Sequence, residues 1–189
     1  VIAGIGHNSG RVVAPGHSWR KHVWTKARKQ LMPTLPVEVI RMRVRRAAQL
    51  GLPYKAYAGI RASSGDDVIG FMFSNNALRV LRAGQVMSVE RADKLDALTG
   101  VKRIGLAHAP VPVPHLAALP QIDDAYRAPR FADSWSAVRD QFGAIARDTR
   151  TPSGRVILVG DTAFEREWVE TAKMAAYLPA DVYFAQAVD

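Results

Sequence analysis

Apolar residues recur along this chain in two rhythms, and the change between them falls near residue 63. Residues 18–31 carry Trp19, His22 or Val23, and Lys26 at helical spacing behind a capping Ser18, until Pro33 and Pro36 interrupt them. Residues 35–50 read as a second helix, with Pro36 and Glu38 at its start and Gly51 at its end. Val37, Ile40, Val44, Ala47 and Ala48 follow the three-and-four rule and are expected to form its buried face. Arg41, Arg43, Arg45 and Arg46 fill much of the remaining circumference.

Beyond residue 63, short apolar runs alternate with amphipathic stretches. Residues 68–73, 102–107, 155–159 and 181–187 have the length and composition of strands. Residues 76–81, 88–98, 133–147 and 163–177 read as helices, the third with Trp135, Val138, Phe142 and Ile145 on one side. Residues 110–129 hold five of the eleven prolines and read as a loop or crossover. Strands that are continuous apolar runs are covered on both faces, which is the habit of parallel sheets. The expected fold is therefore α/β: a mostly parallel sheet of about four strands with helices on both faces, plus a basic helical N-terminal extension. The organisation is a flexible leader (1–16), a basic helical segment (17–62) and an α/β domain (63–189).

Composition adds limits rather than an identity. Hydrophobic residues make up 48% of the 189 positions and charged residues 23%, which is ordinary for a globular chain and argues against wholesale disorder. The absence of cysteine removes disulfides, thiolate metal sites and cysteine nucleophiles. No apolar run approaches the ~20 residues of a membrane span, and no signal-peptide pattern is visible, so the expected location is cytoplasmic.

Charge changes the picture more. Residues 1–62 carry 12 Lys or Arg against one acid, Glu38, whereas residues 63–189 carry 14 against 16. A segment so cationic attracts polyanions. Within it, Ala47-Ala48-Gln49-Leu50-Gly51-Leu52-Pro53-Tyr54-Lys55-Ala56-Tyr57 resembles the middle of a helix-turn-helix. There a small residue lets the helices cross, and a glycine makes the left-handed turn. The resemblance implies that Tyr54, Lys55 and Ala58 face a major groove while Arg43, Arg46 and Arg61 lie near phosphates. Lys26 and Lys29 would add backbone contacts, and Trp19 and Trp24 are expected to pack rather than stack on bases.

A second candidate lies where parallel strands would end. Ser74, Asn75 and Asn76 follow the first strand, His108 the second, Asp161 and Thr162 the third, and Gln186 the fourth. The pairing of an apolar strand before Ser-Asn with another before Gly-Asp is similar to two signature positions of haloacid-dehalogenase-type phosphohydrolases. Those enzymes also need an Asp-x-Asp nucleophile motif after an earlier strand. This sequence has none, and Asp66-Asp67 precedes a strand, so membership is not assigned. Ser74 and Asp161 are expected to cap the helices after them. No cofactor or metal site is expected: the histidines are too loosely spaced, and no nucleophile elbow occurs.

The expected function is therefore non-enzymatic association with nucleic acid, DNA more than RNA, through the basic helices. The alternatives are a small nucleotide- or phosphometabolite-handling enzyme working at the sheet edge, and a subunit docking its basic extension on an acidic protein.

Overall fold

The computed structural model describes residues 35–185. The chain parts into two units between Ile40 and Arg41, and the architecture below is that of the second. Five parallel strands run through it: β1 (Gly70–Ser74), β2 (Lys102–Ala107), β3 (Asp124–Arg127), β4 (Val156–Gly160) and β5 (Ala176–Pro179). Their order across the sheet is β3-β2-β1-β4-β5.

β1 stands at the centre between β2 and β4, and every residue of β1 and β4 is buried, all of them apolar except Ser74 and the glycines. Side chains alternate between faces along a strand. Phe71, Phe73, Ile157 and Val159 accordingly join one core, and Met72, Val156 and Leu158 join the other. The first face is covered by α1 (Val37–Gln49), α2 (Tyr54–Ser64), α3 (Val89–Asp96), the short α4 (Val113–Ala117) and α7 (Ala180–Ala185). The second is covered by α5 (Trp135–Asp148) and α6 (Ala163–Ala172), which present Val138, Phe142, Ile145 and Trp168. No helix among the described residues is long and apolar enough to cross a membrane.

The α/β class and the parallel sheet are as the sequence indicates, with five strands in place of about four. The added strand β3 lies inside the proline-rich stretch, which also contains α4. The last apolar run is not a strand. Its buried residues, Ala180 and Tyr183, are three apart, while Val182 between them is exposed, so the chain turns once as α7. The strand stands just before it, at β5. Residues 76–81 form turns rather than a helix, and α6 stops at Ala172, where Lys173 takes the left-handed conformation.

Across residues 47–57 the chain turns from α1 into α2. Gly51 lies at φ +61°, and the Leu52 amide donates to the Ala47 carbonyl at 2.9 Å. Ala47, Leu50 and Leu52 are buried at the junction of α1 and α2. The expected buried face of α1 needs correction: Val37, Ile40 and Val44 are exposed, and only Ala47 of the helix is buried. The leader, the helix expected over 18–31, Lys26, Lys29 and Gln186 lie outside the described residues.

Candidate functional site

The arginines of α1 divide by what they touch. Arg46 points toward the sheet, with its side chain 16% exposed. Its Nε donates to Asp67 at 3.2 Å, and its Nη2 donates to the carbonyls of Val68 (2.8 Å) and Gly100 (3.1 Å). Its Nη1 reaches the Thr99 carbonyl and the Gln49 amide oxygen. Val68 and Gly100 precede β1 and β2, so Arg46 ties α1 to the N-terminal edge of the sheet. All three of its guanidinium nitrogens are engaged within the fold.

Asp67 gathers the rest of this corner. It accepts from the Tyr57 hydroxyl at 2.8 Å and from the Val68 amide at 2.9 Å, and Arg61 stands 3.7 Å away. Burial, then the hydrogen bond to Asp67, raises the Tyr57 pKa, so the phenol remains a donor. Above this anchor opens a cleft of about 370 Å³, lined by Arg43, Arg45, Arg46 and Arg61 together with Tyr57 and Asp67. Four guanidinium groups face one carboxylate there. Arg41, Arg43 and Arg45 make no hydrogen bond or ion pair among the described residues, so their donors are open to an incoming anion.

Of the residues expected to face a groove, Lys55 is exposed on α2. Tyr54 is half-buried, with its ring packed against the core. Lys55 borders a second cleft of about 580 Å³ that runs between Gly59, Ile60 and Ser63 of α2 and Tyr177 and Leu178 of β5.

At the opposite edge the topology does bring the predicted polar residues together. β1 and β4 are neighbours from which the chain departs to opposite sides, the arrangement that opens a crevice at the C-terminal ends of a parallel sheet. Its centre is a residue the sequence reading did not select, Glu165, which is fully buried. Oε1 accepts from Asn76 Nδ2 at 3.0 Å and lies 3.0 Å from His108 Nε2. Oε2 accepts from the backbone amides of Asp161 (2.6 Å) and Thr162 (3.0 Å). Burial alone raises the carboxyl pKa. Hydrogen bonds from His108, the Asp161 amide, Ser74 and Asn76 outweigh it and hold the group at about 2. An ionised carboxylate only accepts, so His108 Nε2 carries the proton between them.

The surrounding residues hold this hub in place. Asn75 donates to the Val80 carbonyl and accepts from the His108 amide, joining the ends of β1 and β2. The His108 ring stacks on Trp168 at 5.3 Å. Gly160 has to lack a side chain, because a Cβ there would lie 2.9 Å from Glu165 Oε2 and 2.8 Å from the Tyr177 ring. Thr162, not Asp161, caps α6, and Thr162 with Glu165 forms a capping box. Asp161 pairs instead with Arg79, whose Nη1 donates at 2.8 Å and Nη2 at 3.2 Å. Ser74 is fully buried and accepts from the Ala77 amide in a turn, with no helix following.

Ser74, Asn76, His108, Asp161 and Thr162 thus converge, but on a side chain of the same molecule. The amides of Asp161 and Thr162, which lead into α6, hold the Glu165 carboxylate, and residues 76–81, where a helix N-terminus was expected to meet a phosphate, form no helix. The sequence signal for Glu165 was local: Thr162-x-x-Glu165 directly after an apolar strand has the spacing of a capping box. Compared with protein-family models, curated proteins and solved structures, the chain matches none.

Proposed function

We propose that this protein associates with nucleic acid through the phosphate backbone, without catalysing a reaction on it. The observation that carries this reading is the cleft between α1 and α2, where Arg43 and Arg45 hold open guanidinium groups beside the paired Arg46, Asp67 and Arg61, with Arg41 exposed on the same helix. Planar guanidinium groups match phosphate oxygens in geometry as well as charge. Arg41, Arg43 and Arg45 are the proposed phosphate ligands. Arg61, Lys55 and the basic residues before Arg41, including Lys26 and Lys29, extend the cationic surface. Arg46 is a positioning residue that fixes α1 to the sheet. The helix-turn-helix-like backbone favours DNA over RNA as partner.

The phosphometabolite enzyme draws less support, because the polar residues of that sheet edge converge on Glu165, a carboxylate of the same chain. An acidic protein partner is separated by experiment. Fluorescence anisotropy with labelled duplex DNA, at about 50 and 200 mM salt, should show affinity falling steeply. Three phosphate contacts correspond to a log-log slope of about −2.7, and replacing Arg41, Arg43 and Arg45 by Ala should flatten the measured slope by about that amount. No binding at the lower salt, or a triple variant that binds like the parent, refutes the proposal.

A further inference from the structure

Two large aromatic side chains stand in water at the C-terminal edge of the sheet, on a segment otherwise well held. Phe131 is 89% exposed and Trp135 57%. Phe131 lies on the loop between β3 and α5 and Trp135 opens α5, and that loop is anchored at both ends. Ala128 and Pro129 are buried, and the Arg130 amide donates to Asp133 at 2.8 Å. The Asp133 amide returns a bond to the Arg130 carbonyl, and Ser134 caps α5. A fixed loop that presents aromatic rings outward has the form of a binding platform rather than of an unfinished core.

The chemistry around the rings narrows the partner. Phe131 is backed by Phe164 at 5.6 Å, and Arg139 stacks on Trp135 at 4.9 Å from the ring centroid, so each ring has one side supported. Arg139 lies over Trp135, and Arg130, next to Phe131 in the chain, is paired with Asp133. Flat apolar faces interleaved with guanidinium groups suit unpaired bases joined by phosphates. Duplex DNA keeps its base faces stacked inside and offers such rings little.

We infer that Phe131 and Trp135 form a stacking platform for the bases of a single-stranded nucleic acid. This rests on the nucleic-acid reading above but uses a different surface. The arginine cleft lies at the N-terminal edge of the sheet, and the aromatic pair lies beyond the C-terminal end of β3. The two surfaces also leave different signatures: phosphate contacts release counterions and set the salt slope, whereas stacking adds affinity without changing it.

The test uses the full chain and two labelled strands of about 20 nucleotides, one of mixed base sequence and one abasic with the same phosphates. The base-bearing strand should bind about tenfold tighter or more, since each stacked base carries roughly that factor. The Phe131→Ala, Trp135→Ala double variant, and more weakly Phe131→Ala alone, should lose this preference while keeping the parent's salt slope and melting temperature. Equal binding of both strands overturns the platform and leaves phosphate binding standing. A base preference that survives the substitutions also overturns it, by placing the stacking elsewhere in the chain. If neither strand nor duplex binds at low salt, both readings fall.

Discussion

Glu165 shows how one side chain organises an edge of the molecule. It is an ionised carboxylate with no exposed surface, stable only because donors from three strand ends converge on it. Glu165→Gln keeps the shape but turns one oxygen into a donor facing backbone amides or a side-chain amide. We expect it to lower stability by about 2–3 kcal/mol in urea unfolding at pH 7. The acid dependence has a definite sign. The folded pKa of about 2 lies below the ordinary glutamate value of 4.5, so this group's contribution is complete above pH 4.5 and is lost as pH falls toward 2. The gap between parent and variant should therefore be narrower at pH 3 than at pH 7. An unchanged gap would mean that Glu165 is not held ionised. Ser74, Asn75, Asn76, His108, Asp161 and Thr162 were legible as a group because strand ends are legible. The convergence of all but Asn75 on Glu165 was not: the capping-box spacing marks Glu165 as a helix start, but its burial depends on which strand ends that helix meets.

At the scale of elements, the α1–turn–α2 unit separates two uses of one residue type. Arg46 reaches across to the strand entrances, whereas Arg45, one residue earlier, is exposed in the cleft. Arg46→Ala leaves Asp67 and the carbonyls of Val68 and Gly100 short of a donor and should cost about 2–3 kcal/mol of stability. Arg45→Ala should change stability by less than about 0.5 kcal/mol and weaken DNA binding. Thermal melts and anisotropy on the two variants check this pairing of effects, and the reverse pattern would contradict the division of roles. The turn could be read from Ala47, Gly51 and Pro53 because its chemistry is local. The covered side of α1 could not, since spacing identifies an apolar stripe without showing what it meets; Val37, Ile40 and Val44 are exposed. The same limit explains α7, whose seven-residue apolar run fits a strand and one turn of helix equally well until Tyr183 is seen against Phe71 and Phe73.

At the scale of the whole molecule, the proposed binding would have a thermodynamic consequence. The chain carries a formal net charge of +9, and the excess lies in its first third. Within the unit that starts at Arg41, the cationic cleft is fastened to the sheet through Arg46 and Asp67. A ligand held by Arg41, Arg43 and Arg45 therefore has to be released when that unit unfolds. At a ligand concentration of 100 times Kd this linkage is worth about 2.7 kcal/mol. For a chain of this size that corresponds to a rise in melting temperature of about 5–10 °C. Duplex DNA at low salt should produce this rise, and it should disappear when Arg41, Arg43 and Arg45 are replaced by Ala. Binding without any shift would assign the contacts to basic residues before Arg41, such as Lys26 and Lys29, and remove the cleft from the mechanism. The melting curve thus tests more than whether DNA binds: it locates the grip, because only contacts made by the cooperative fold feed back on its stability.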